Sequence, residues 1–207
     1  MSEPAKKAAV GLDTFTFSAE NQARIKTIIA KYPEGRQASA VLPLLDLAQR
    51  ECGGWLPRAA MDHVAGVLSM APIRVYEVAT FYTMFNLKPV GEHFVQVCTT
   101  TPCWLRGSNE VIRAVREIVG IGLDETTEDG KFTLTEVECL GACVNAPMIQ
   151  INDDYYEDLD FDSTKALLES LQRGEKPQSG SQVRRRCGAP LSGPKTLLAT
   201  APGKGKA

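Results

Sequence analysis

No apolar run in this sequence approaches the roughly 18 consecutive residues that a membrane-spanning helix requires. The first residues, MSEPAKKAAVGLD, carry two lysines with no apolar stretch behind them and no arginine-rich amphipathic pattern, so neither a secretory signal nor a mitochondrial presequence is expected there. No Gly-rich dinucleotide loop is present either: Gly53 and Gly54 open no G-x-G-x-x-G. Histidine occurs only at positions 63 and 93, isolated from one another, and each is expected as a surface or capping residue rather than a metal ligand. The lack of a membrane span and of a targeting segment is read as a chain that stays in a reducing compartment, where the six cysteines argue for metal or redox chemistry instead of a disulfide framework.

What is there is the composition of a soluble protein, 43% hydrophobic and 23% charged over 207 residues, enough for one good core or two compact lobes. Net charge is only -2, but from Gly174 onward seven basic residues face one acid, so a tail of +6 follows a body of -8. The arginines 184 to 186 could suggest nucleic acid, but no basic groove with interleaved aromatics accompanies them, and an acidic protein surface is the expected partner.

Three regions follow an N-terminal extension, residues 1–17. Residues 18–88 are expected to form a helical bundle. Ser18 can cap a first helix, Val41, Leu44, Leu45 and Ala48 form the stripe of a second, Pro57 suits the first turn of a third (Met61, Val64, Ala65, Leu68), and Pro72 starts a fourth (Val75, Val78, Ala79, Tyr82). Residues 89–173 change period: strands at 92–98, 132–137 and 148–152, and helices at 107–119 and 163–172. A sheet covered by helices in that order has the thioredoxin-like fold as its simplest solution. Residues 174–207, rich in Gly, Pro, Ser and Lys, are expected to be disordered alone or extended along a partner.

Four cysteines form two pairs, Cys98 and Cys103 in VCTTTPC, and Cys139 and Cys143 in CLGAC. Each pair is expected in a loop after a strand, with one helix and one strand between, so both loops can meet at one end of the sheet. Four sulfur donors suit tetrahedral zinc or an iron–sulfur cluster. Zinc sites favour closely spaced C-x2-C knuckles, whereas a [2Fe-2S] cluster needs each iron gripped by two thiolates across a wider span, which favours the cluster. Neither pair is the C-x-x-C of a thiol-disulfide enzyme. Thr99, Thr100 and Thr101 offer hydroxyl and N–H groups, Gly141 and Ala142 leave the backbone free to approach sulfur, Pro102 stiffens the first loop, and Pro147 introduces the next strand. A four-thiolate cluster carries about -2 when oxidised and about -3 when reduced, so the nearby run Asp153, Asp154, Glu157, Asp158, Asp160 and Asp162 is expected to lower its potential. The alternative is a solvated run in which Asp162 caps the last helix.

The stretches VCTTTPCWLRGS (97–108) and CLGACVNAPMIQINDDYYEDL (139–159), with GGWLP (53–57) and VYEVATFYTMFN (75–86), resemble the thioredoxin-fold [2Fe-2S] subunit of the NADH-dehydrogenase module of respiratory complex I, the 24 kDa subunit family. The likeness spans about residues 18–172. It implies an α+β chain: a helical bundle, then a thioredoxin-like α/β [2Fe-2S] ferredoxin domain, then an extended tail. It implies one cluster held by Cys98, Cys103, Cys139 and Cys143. It also implies docking beside a flavin-bearing, NADH-oxidising subunit that holds FMN and NADH, within a complex containing further iron–sulfur subunits. No catalytic residue is expected in this chain. The implied location is peripheral, on the cytoplasmic face of a bacterial inner membrane or on the mitochondrial matrix side, without membrane insertion. A related diaphorase subunit of an NAD-linked hydrogenase or formate dehydrogenase is the alternative within the class, and a zinc-stapled interaction domain the alternative outside it. Cys52 extends an apolar helical stripe and is expected as a buried structural thiol. No chemistry is assigned to Cys187. Trp55, Phe81, Tyr82, Phe85 and Trp104 are expected mostly in the core, with an interface role as the alternative.

Overall fold

The structure is a computed structural model that describes residues 13–185. Most of the expected extension, residues 1–12, and the tail from Arg186 on, including Cys187, lie outside the described residues. The backbone divides into two compact units between Val90 and Gly91. Among the described residues no helix is long and apolar enough to cross a membrane.

The first unit holds four helices: α1 (Ala19–Ile29), α2 (Val41–Glu51), α3 (Arg58–Val67) and α4 (Pro72–Phe81). Ser18 caps α1 by accepting from the Asn21 N–H, and the Glu51 carboxylate at the end of α2 accepts from the Ser18 hydroxyl and the Asn21 amide. Pro43 sits in the first turn of α2, where its missing N–H leaves no helical hydrogen bond unmade. Pro72 starts α4 as expected, whereas Pro57 takes the extended N-cap position just before α3. The expected stripes close one core: Val41, Leu44, Leu45 and Ala48 meet Val64, Ala65, Leu68, Val75 and Ala79. Tyr82 departs from its stripe. It leaves α4 in extended conformation, and it and Phe81, 77% exposed, face solvent, while Phe85 is buried. Cys52 is buried, and burial pushes its thiol up to about 11, which suits a structural role. The two segments GGWLP and MFN are pinned together, because the Leu56 N–H donates to the Asn86 carbonyl at 2.7 Å and the Asn86 amide donates to the Gly54 carbonyl at 2.8 Å.

The second unit is a sheet in the order β2-β3-β1-β4-β5-β6 with helices α5 (Thr101–Leu105), α6 (Ser108–Val119) and α7 (Phe161–Gln172). Its strands are β1 (His93–Cys98), β2 (Glu125–Thr126), β3 (Phe132–Val137), β4 (Met148–Ile151), β5 (Asp154–Glu157) and β6 (Gly180–Ser181). β1 and β3 are parallel, as a crossover through α6 requires, while β4 runs antiparallel to β1 and to β5. Alternation places Val95, Val97, Leu134, Ile149 and Ile151 in one core with Val111 and Val115 of α6 and Leu167, Leu168 and Leu171 of α7. Gly91 enters β1 so close to the chain at Lys131 and Phe132 that a Cβ there would lie 2.8 Å from the Phe132 carbonyl carbon, and its N–H donates to the Thr133 hydroxyl at 2.7 Å.

Several expectations need correction here. The acidic run contains a strand, β5, in which Tyr155 and Tyr156 are flanked by Asp154 and Glu157 and burial does not alternate, so no period-2 pattern marks it. Asp160, not Asp162, caps the last helix: its side chain accepts from the Ser163 N–H while the Ser163 hydroxyl accepts from the Asp160 N–H, and the helix starts at Phe161 rather than at 163. The tail does not leave the fold at Gly174, because β6 pairs in parallel with β5, Tyr156 opposite Gly180 and Glu157 opposite Ser181.

Candidate metal centre

Parallel pairing of β1 and β3 sets Cys98 opposite Val137, so both following loops leave the same end of the sheet. Cys98 is the last residue of β1 and only 2% exposed. Cys103, 1% exposed, is not in a loop as expected but on the short helix α5, which Pro102 helps to start. The second loop leaves β3 through Cys139 and turns at Gly141, whose φ of +84° favours glycine, so that the Gly141 N–H donates to Cys139 Sγ at 3.4 Å. Cys143 opens a 3₁₀ turn, Cys143–Asn145, and its sulfur lies 3.4 Å from that of Cys139. Both sulfurs of this second pair are exposed.

The loops meet. Cys98 and Cys103 pack with Ala146 and Met148, with Leu140, Ala142 and Tyr155 against them. Burial pushes the Cys98 thiol up, but hydrogen bonds from the Thr100 hydroxyl, 3.4 Å away, and from the Leu140 backbone of the other loop hold it below the ordinary thiol value. Burial, reinforced by Cys98, pushes Cys103 up to about 12. The Gly141 N–H, with Cys143 and the Thr100 hydroxyl, holds Cys139 down, and Cys139 in turn raises Cys143. Thr100 therefore lies between the two loops, 3.4 Å from the Cys98 sulfur and on the side of Cys139. Thr99 turns away and donates to Glu136 at 2.5 Å.

Three carbonyls of the second loop are held from outside it. The Tyr155 hydroxyl donates to Leu140 at 2.9 Å, the Asp158 N–H to Asn145 at 2.8 Å, and the Arg185 guanidinium to Val144. Sequence reasoning missed these residues. Arg185 was expected to face an acidic partner, but it binds Asp158 of its own chain at 2.5 Å. Tyr155 could have been found only through the overlooked strand β5. Within the acidic run Lys176 lies 3.8 Å from Asp154 and Arg185 pairs with Asp158, so two of its six charges are balanced inside the chain.

The other candidate residues stay apart from the thiols. His63 lies against the rings of Phe15 and Phe17, and His93 beside Phe132, where burial lowers its pKa. Trp104 is 58% exposed, contrary to a core role. Among the described residues no group of three or more histidine, cysteine or carboxylate side chains is arranged as around a single metal ion. The thiols stand instead as two pairs, each able to grip one iron, and their soft donors suit iron and sulfide.

A mixed sheet covered by helices, with one cysteine pair after each of two adjacent parallel strands, defines a thioredoxin-like iron–sulfur protein. Residues 25–172 match the family described as thioredoxin-like [2Fe-2S] ferredoxin. The chain is 59% identical over 161 residues, 78% of its own length and 96% of the relative's, to the E subunit of NADH-quinone oxidoreductase from Rickettsia conorii. It is 54% identical over 184 residues, 89% of its length and 74% of the relative's, to mitochondrial NADH dehydrogenase [ubiquinone] flavoprotein 2 of Dictyostelium discoideum. A NAD+-reducing [NiFe]-hydrogenase in its H2-reduced state shares the fold over 66% of this chain and 23% of the hydrogenase chain, with a TM-score of 0.58 and 21% identity. The chain belongs to the thioredoxin-like [2Fe-2S] ferredoxin family.

Proposed function

We propose that this chain is the electron-carrying, thioredoxin-like subunit of a NADH:quinone oxidoreductase, with one low-potential [2Fe-2S] cluster held by Cys98 and Cys103 on one iron and Cys139 and Cys143 on the other. The observation that carries this reading is the pairing of the four thiols at the C-terminal ends of β1 and β3, in a chain whose relatives bear that enzyme's name. When bound, such a cluster supplies a one-electron couple. The residues of this chain supply everything else: Thr100 and the Gly141 and Leu140 backbones direct donors at sulfur, which favours thiolate and disperses its charge. Cys98 and Cys103 keep one side of the site dry, while the exposed Cys139 and Cys143 bring the other to the surface, where a partner can approach within electron-transfer range.

The electron partner is an adjoining NADH-oxidising subunit that holds FMN and NADH, and the further partners are iron–sulfur subunits of the same complex. The chain sits peripherally at the membrane, on the cytoplasmic face of a bacterial inner membrane or on the equivalent matrix side. Purified full chain should be red-brown, contain two irons, and give an EPR signal after strong reduction. A colourless, zinc-loaded protein with no such signal would overturn the reading in favour of a zinc-stapled interaction domain.

A further inference from the structure

Resting on the reading that Cys143 is a cluster ligand, we propose that Arg185 is a positioning residue for the metal centre: it fixes the turn that presents Cys143 and so ties the C-terminal segment to the cluster. The turn Cys143–Asn145 is anchored at its far end, where Asn145 is buried and its carbonyl accepts from the Asp158 N–H, but its centre is weakly held. It is a single 3₁₀ turn closed by N–H to O contacts of 2.9 and 3.4 Å, and Val144 at its centre is exposed, so no burial of that side chain anchors it. Arg185 adds a constraint at the centre of the turn, beside the one that the Asp158 N–H places on Asn145. Its Nη2 donates to the Val144 carbonyl, and the same Nη2 and Nε donate to Asp158 Oδ1 at 2.5 and 2.8 Å.

Asp158 is the seat of this clamp. Its side chain is only 8% exposed, so its charge needs a partner, and the Ser181 hydroxyl donates to its second oxygen at 2.6 Å. The Ser181 hydroxyl also accepts from the Arg185 N–H at 3.2 Å, and the Asp158 N–H holds the Asn145 carbonyl. Residues 144–145, 158 and 181–185 thus form one connected network beside the exposed thiol pair, with β6 adding the segment to the sheet edge. A guanidinium suits this place because its planar fork reaches a carboxylate and a carbonyl at once, which a lysine ammonium on a flexible stem does not reproduce.

The test uses the full chain carrying its two-iron centre. Arg185→Gln should release iron to a chelator about tenfold faster, the effect usual for losing a residue that orients a ligand, and should alter the EPR line shape of the reduced centre. Arg185→Lys, which keeps the charge but not the fork, should recover less than half of that retention. Iron release and EPR spectrum unchanged in Arg185→Gln would overturn the proposal, and so would full recovery in Arg185→Lys, which would make charge rather than placement the operative property. If the unaltered chain carries no two-iron signal, the functional reading falls and this inference with it. If the signal is present but indifferent to Arg185, the inference alone falls.

Discussion

The first cysteine loop takes its order from regular structure: Cys98 ends a central strand and Cys103 sits in a helical turn, and both are buried with Met148 and Ala146. The second is built differently. Cys139 and Cys143 stand exposed on a chain that turns through a left-handed glycine and a 3₁₀ turn, and its carbonyls are held one by one by Tyr155, the Asp158 N–H and Arg185. One half of the site thus depends on the sheet core and the other on single hydrogen bonds from distant residues. Damage to the core should reach the first loop, and small surface changes should reach the second.

The largest expected effect removes the distinction. Cys103→Ala and Cys143→Ala should each abolish the visible absorbance and leave iron well below two per chain by metal analysis, because each iron needs both thiolates of its pair. Retention of an unchanged spectrum in either variant would remove that loop from the ligand set. Next, Leu134→Ala, a fully buried residue of β3, should cost about 2 to 5 kcal/mol in urea unfolding of the second unit. A cost below about 1 kcal/mol would mean that Leu134 contributes little to the sheet core from which the first loop leaves.

Smaller effects separate the second loop from its surroundings. Gly141→Ala meets open space but a φ of +84°, so backbone strain of about 1 to 2 kcal/mol should appear in unfolding, together with faster iron release as the N–H to Cys139 contact weakens. Asp160→Ala should cost about 1 kcal/mol through the lost α7 cap while leaving iron release unchanged. The Ser163 hydroxyl and N–H hold the Asp160 carboxyl below the ordinary carboxylate range. Because the folded pKa is depressed, its contribution is full above the unfolded value of about 4 and fades as pH falls through the folded one, so the cost measured by unfolding should shrink toward zero in strong acid.

Much of this was legible in the chain. The 3.6 period of Val41, Leu44, Leu45 and Ala48 and the alternation of Phe132 and Leu134 mark elements whose burial is a local consequence of pattern. The cysteine spacing and the strands before each pair were enough to propose a four-sulfur site. Legibility failed where side-chain chemistry and backbone role diverge. Asp154 and Glu157 look like solvated charge yet bracket a strand, TPCWL is too short to show a helical period, and RRR looks like a patch for a partner although one of its arginines closes on the chain itself.

By itself the sequence determined which thiols are available, in what pairs, and that glycine and threonine lie beside them, because spacing and residue type are local quantities that burial and backbone sterics act on directly. Only the tertiary structure decided that β1 and β3 run parallel in the register that brings the pairs together, that one pair is buried and the other exposed, and that Arg185 lies on the turn of Cys143. Those facts join residues tens of positions apart, and no local preference encodes them. They follow from the whole sheet and its helices closing on one core.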